Sequence, residues 1–68
     1  MPPVIRPDQV IKVLECKEFQ FVSQKGSHRK YKRGGRTVVI PMHYELAKGT
    51  LMRILRQAGL SLEDIFGG

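Results

Sequence analysis

Apolar residues recur at helical spacing near the N-terminus, alternate with polar ones through the middle, and return to helical spacing towards the C-terminus. Val10, Ile11, Val13 and Leu14 form one stripe of a helix predicted over residues 7–17. Pro7 suits the first helical position, where its missing N–H costs nothing, and Asp8 faces the positive end of the helix dipole. Residues 19–24 alternate as a strand, with Phe19, Phe21 and Ser23 on one face and Gln20, Val22 and Gln24 on the other. Gly26-Ser27 signals a turn. A second strand over residues 27–33 then places His28, Lys30 and Lys32 on one face and Ser27, Arg29, Tyr31 and Arg33 on the other. Gly34-Gly35 signals a tight hairpin into a third strand over residues 36–40, stopped by Pro41.

Residues 42–47 form a connection that carries the second histidine, His43. Leu51, Ile54, Leu55 and Ala58 then mark a helix at i, i+3, i+4 and i+7, and Gly59 supplies its stop. Ser61-Leu62-Glu63-Asp64 has the form of a capping box, with Asp at the acidic position, and starts a last short turn through Phe66. Residues 1–5 read as a flexible extension before the first helix, stiffened by Pro2-Pro3. The expected fold is therefore α+β in the order α-β-β-β-α, one domain over residues 1–68. Two helices cover one face of a three-stranded antiparallel sheet, and its other face is free to meet a partner. This is the arrangement of the double-stranded-RNA-binding domain, which by itself fixes no function.

Composition narrows the classes. At 68 residues there is room for one small core. The single cysteine, Cys16, lies off the apolar stripe as a free thiol and excludes both an internal disulfide and a multi-cysteine zinc site. A reducing cytosol and a cytoplasmic protein are expected, since Met1-Pro2-Pro3-Val4-Ile5-Arg6 lacks the long apolar region of a signal peptide and no run approaches a membrane span.

Charge adds the decisive feature. The chain carries 12 Lys and Arg against six Asp and Glu, a net +6. Lys25, Arg29, Lys30, Lys32, Arg33 and Arg36 form one segment with no acid between Phe19 and Tyr44. The other six cations are balanced by six acids, so the whole excess belongs to that segment, and nucleic acid is the first partner to expect. His28 stands inside it. An ordinary imidazole titrates close to neutrality and can take or give a proton. A proton-transfer group among cations is the composition of a site that holds a polyanion and works on it. Lys30 and Lys32 share the face of His28, while Lys25 and the Gly26 backbone reach the same phosphate if the turn curls over it.

His43 is either a second proton-transfer group or a loop histidine bonded to backbone or partner. Tyr31 either stacks on a base or faces the core, and alternation favours the core. Ser27 lacks an acidic orienter and reads as a turn residue. Two histidines and one off-stripe cysteine are too few for a metal site.

Three stretches in order resemble the HicA family of small bacterial toxins. They are Val10-Ile11-Lys12-Val13-Leu14-Glu15 with Phe19; Gln24-Lys25-Gly26-Ser27-His28 with Arg29-Lys30-Tyr31; and residues 49–61, from Gly49-Thr50-Leu51 to Gln57-Ala58-Gly59-Leu60-Ser61. With Val39-Ile40-Pro41-Met42-His43 they cover the chain from about Asp8 to Phe66. One departure is Glu18, where members commonly have glycine before the phenylalanine; ending the first helix without it costs about 1 kcal/mol if the left-handed geometry is kept.

The resemblance implies a double-stranded-RNA-binding type of fold and ribosome-independent cleavage of mRNA by the free toxin; the residue inventory adds the expectation that no cofactor or metal takes part. The resemblance places the catalytic histidine at His28; the charge and position of the residues around it, read from the sequence itself, make Lys25, Gly26, Ser27, Arg29, Lys30, Lys32 and His43 the candidate RNA contacts. The resemblance also implies a HicB antitoxin that covers the active site, while the lack of any long apolar run gives no membrane partner to expect. The competing readings are a non-catalytic RNA-binding module of the same fold, and a small protein whose basic face meets an acidic protein.

Overall fold

The computed structural model describes residues 4–67. Its elements follow in the order α1 (Pro7–Cys16), β1 (Gln20–Lys25), β2 (His28–Arg33), β3 (Arg36–Pro41), α2 (Lys48–Ala58) and a short α3 (Leu62–Phe66). The strands make one antiparallel sheet in the order β1-β2-β3. This is the expected meander between helices, with α3 in place of a last turn.

Both hairpins turn on a glycine with positive φ as the first of two loop residues, Gly26 at 59° and Gly34 at 56°. That position is where a two-residue hairpin loop most needs glycine. The Gly34-Gly35 loop pairs Arg33 with Arg36, and from there the register runs without interruption to His28 opposite Pro41.

The core lies between the sheet and the helices. Val10, Ile11 and Leu14 of α1, Leu51, Ile54, Leu55 and Ala58 of α2, and Tyr31, Val38 and Ile40 of the sheet are buried in it together. The α2 stripe is buried as the sequence pattern marks it, and α1 buries Val10, Ile11 and Leu14 while Val13 is only half-buried. Tyr31 is 3 % exposed and receives the ring of Phe21 edge-on at 5.8 Å, so it serves the core. On the outer edge of β3, α2 takes up one strand donor: the Val39 N–H donates to the Gln57 side-chain oxygen at 3.2 Å. This removes a free donor that another strand would pair with.

Two expectations need correction. The β1 alternation does not run unbroken: Phe21 pairs with Tyr31 but Ser23 pairs with Lys30, so a bulge at Val22 changes the phase. Ser23 therefore shares a face with Lys30 and not with Phe21, while Gln24 turns to the helical side with Arg29. The second correction concerns the flexible extension expected over residues 1–5. Ile5 is only 5 % exposed, belongs to the core, and its carbonyl accepts the Leu46 N–H at 2.8 Å. Residues 1–3 lie outside the described part of the chain.

The two long helices end alike. The Phe19 N–H donates to the Leu14 carbonyl at 2.9 Å and the Glu18 N–H to the Glu15 carbonyl at 3.0 Å. At the end of α2, Leu60 and Gly59 donate in the same way to Leu55 at 2.9 Å and Arg56 at 3.2 Å. Each is a Schellman motif with its left-handed residue at Gly59 (φ 71°) or at Glu18 (φ 70°). Glu18 thus keeps the geometry that glycine adopts freely, with the steric cost that a Cβ brings there.

Candidate active site

Strand β2 divides the basic segment between the two faces of the sheet. On the helical face, Arg29 is partly buried and donates through Nε to the Gln24 side-chain oxygen at 2.9 Å. Arg33 donates to the Lys17 carbonyl at 2.7 Å, with its guanidinium 4.8 Å from the centre of the Phe19 ring. Its strand partner Arg36 donates to the Gln57 carbonyl at 3.3 Å. The last two arginines thus satisfy carbonyls at the negative ends of α1 and α2. Close packing of Arg36 also accounts for Gly59: a Cβ there would meet the guanidinium carbon at 2.6 Å.

The open face carries the remaining cations. Register places Lys25 directly opposite His28, Ser23 opposite Lys30, and Gln20 opposite Lys32, all of them exposed. No Asp or Glu occurs in any strand. Hence His28 stands on a surface whose fixed charges are all positive. Gly26 and Ser27 form the turn at its edge.

His43 reaches the same place. β3 runs out at Pro41 opposite His28, and one step on the Met42 N–H donates to the Ser27 carbonyl across the turn. The next residue is then carried beside His28, with the two imidazole rings 6.4 Å apart between centres and inclined at 70°. Both are exposed. The following Tyr44 is tied down in turn, its hydroxyl accepting from Arg6 at 3.2 Å and its ring lying 4.8 Å from the guanidinium carbon.

Of the sequence-derived candidates, then, the fold brings together Lys25, Gly26, Ser27, His28, Lys30 and His43, with Lys32 farther along the same face. Arg29 is held on the other side by Gln24. Ser23 joins the open face although its sequence position carries no sign of it, because nothing in Phe21-Val22-Ser23 announces a bulge. Among the described residues, no three His, Cys, Asp or Glu side chains come together as a metal site, and Cys16 is exposed away from the strands.

Residues 7–60 match the family model described as HicA toxin of bacterial toxin-antitoxin. The chain belongs to the HicA toxin family. That match spans α1, the whole sheet and α2. Membership makes the chain a toxin of a toxin–antitoxin system and implies an antitoxin partner. No protein of curated function matches the chain. No helix among the described residues is long and apolar enough to cross a membrane.

Proposed function

We propose that this HicA-family chain is a cytoplasmic, metal-independent endoribonuclease that cleaves mRNA and so arrests translation, with His28 as the proton-transfer residue. The carrying observation is the company that His28 keeps. It is exposed on a sheet face that holds Lys25, Lys30 and Lys32 and no carboxylate. Cleavage of RNA next to a 2′-OH needs a base for that hydroxyl, an acid for the departing 5′-oxygen, and positive charge near the phosphorus as negative charge builds there. Lysines on the histidine's own face supply the third requirement. The Gly26-Ser27 turn presents backbone to the same phosphate, and Lys32 and His43 extend the contact surface on either side.

A face with three lysines that make no ion pair among the described residues also suits the antitoxin. A HicB-type partner covers His28 and neutralises the basic surface, which keeps the toxin inert while the complex lasts. If a complex left His28 open to solvent and was still inactive, inhibition would work in another way.

The test is incubation of the purified chain with mixed RNA in EDTA, beside the His28→Ala protein. Cleavage that survives the chelator and disappears in the variant supports the reading. Intact RNA in both, with equal salt-sensitive binding, identifies instead a binding module of the same fold. That second reading has the same lysine face in its favour and gives no special part to an imidazole.

A further inference from the structure

We infer that His43 is the second proton-transfer group of the site, so that the nuclease works with a pair of histidines; this rests on the proposed ribonuclease activity of His28. The reaction needs two proton transfers at opposite sides of one phosphorus, and one imidazole in one protonation state performs only one of them at a time. Hydrogen bonds of about 2.8 Å to two apical oxygens about 3.5 Å apart put the two nitrogens roughly 6–9 Å from each other. The His28 and His43 rings are 6.4 Å apart between centres, both exposed and inclined at 70°. Ring centres this close let both imidazoles reach oxygens of one and the same phosphate.

The placement is built into the fold. His43 follows the Met42 N–H bond to the Ser27 carbonyl and precedes Tyr44, which Arg6 holds through its hydroxyl and ring. Both neighbours of His43 are thus anchored, one to the turn before His28 and one to the N-cap of α1. Lys25 faces His28 from β1 and Lys30 follows two residues later on β2. The one acid near in sequence, Glu45, is exposed in the connection after Tyr44. The strands hold no other histidine and no carboxylate; their remaining ionisable side chains are lysines, arginines and the buried Tyr31.

The step balances with two histidines in opposite states. A neutral imidazole takes the proton of the 2′-OH as the 2′-oxygen bonds to phosphorus. The P–O5′ bond breaks, and the other ring, protonated at the start, gives its proton to O5′. The products are a 2′,3′-cyclic phosphate and a free 5′-hydroxyl, with no net proton gained or lost.

The experiment compares single-turnover cleavage by the parent, His43→Ala and His43→Asn, and their affinity for an uncleavable 2′-deoxy analogue. Asparagine keeps a hydrogen bond but moves no proton, so it separates proton transfer from contact. The inference expects both variants to lose about 10²–10⁴ in rate, with affinity within about three-fold of the parent. It expects His28→Ala/His43→Ala to be little worse than either single variant, as for residues acting as one unit. Rescue by asparagine, or a loss confined to affinity, would make His43 a contact residue and overturn it. A parent that leaves RNA intact defeats the nuclease reading itself, whereas a parent that cuts while His43→Ala cuts equally well defeats only the inference.

Discussion

On β2 the arginines and the lysines take opposite sides of the sheet. Arg29 and Arg33, with Arg36 across the hairpin, turn to the helical side and are used up in hydrogen bonds to Gln24, Lys17 and Gln57. Lys30 and Lys32, with Lys25 across the other hairpin, are left to solvent beside His28. The division follows from the side chains. A planar guanidinium fits a carbonyl or an aromatic face with several fixed donors, and it is more weakly hydrated. An ammonium on a flexible stem keeps its water and serves a ligand that is not yet there. A run of like charge in the sequence is therefore two populations, one tied to the neighbouring strand and the helix ends and one turned to solvent.

The sharpest way to break this comparison is to cut into each side once. Ile40→Ala removes a fully buried side chain from the helical face. A loss of about 2–5 kcal/mol is expected, visible in urea denaturation, and in so small a domain that is most of the stability. His28→Ala on the open face should leave the urea midpoint unmoved and reduce RNA cleavage about 10²–10⁴-fold. An unfolded His28→Ala protein, or an Ile40→Ala protein of parental stability, would mean that the two sides do not separate structure from chemistry.

Substituting neighbours in the sequence narrows the test. Arg33→Ala gives up the Lys17 carbonyl and the stack on Phe19, and about 1–2 kcal/mol of stability should go with them. Lys32→Ala, one residue away, should change stability by less than about 0.5 kcal/mol. Its effect should appear in RNA binding instead. There the slope of log affinity against log salt should become shallower by about 0.7, the share of one neutralised phosphate on a single strand. Equal effects of the two variants on either measurement would count against the division.

Much of this division was legible from alternation alone. The sequence His28-Arg29-Lys30-Tyr31-Lys32-Arg33 puts the two lysines with the histidine and the two arginines with the tyrosine, and the sheet does the same. The helix stripes were equally plain, because Val10, Leu14, Leu51, Ile54, Leu55 and Ala58 all fall at helical spacing and all are buried. Other features lacked a local signal. Ile5 packs into the core through a hydrogen bond with the distant Leu46, and the Val22 bulge has no glycine to mark it.

The nearness of His43 to His28 is a different case. Counting back from the Gly34-Gly35 hairpin pairs Arg33 with Arg36 and then His28 with Pro41, which leaves His43 two residues past the partner of His28. That much follows from the sequence once the hairpin register is used. The anchors at Ser27 and Arg6, which keep the ring there, do not.

Two smaller predictions stay on the helical side. Glu18 and Gly59 hold equivalent places in two like helix ends, at φ 70° and 71°. Glu18→Gly should raise stability by up to about 1 kcal/mol, since glycine carries no Cβ penalty there. Its greater freedom in the unfolded chain takes some of this back. Gly59→Ala meets both the φ cost and the Arg36 guanidinium, and it should destabilise. A Glu18→Gly protein less stable than the parent would mean that the Glu18 side chain contributes more than the backbone strain costs.

The smallest effect uses pH to tell the two sides apart. All six acids lie outside the strands, in the helices and their connections. The Asp64 carboxyl is held below its ordinary value, first by the Ser61 N–H at 2.8 Å, then by the Ser61 hydroxyl, with Lys17 at 3.4 Å adding to it. A lowered value in the folded state means that the carboxylate stabilises the fold above its unfolded titration range and that this is lost as pH falls through the lowered value. The melting temperature of the parent should therefore drop on acidification by slightly more than that of Asp64→Asn, and above pH 5 the variant should be the less stable of the two. Parallel curves would mean that the start of α3 and its tie to α1 do not depend on the charge at Asp64.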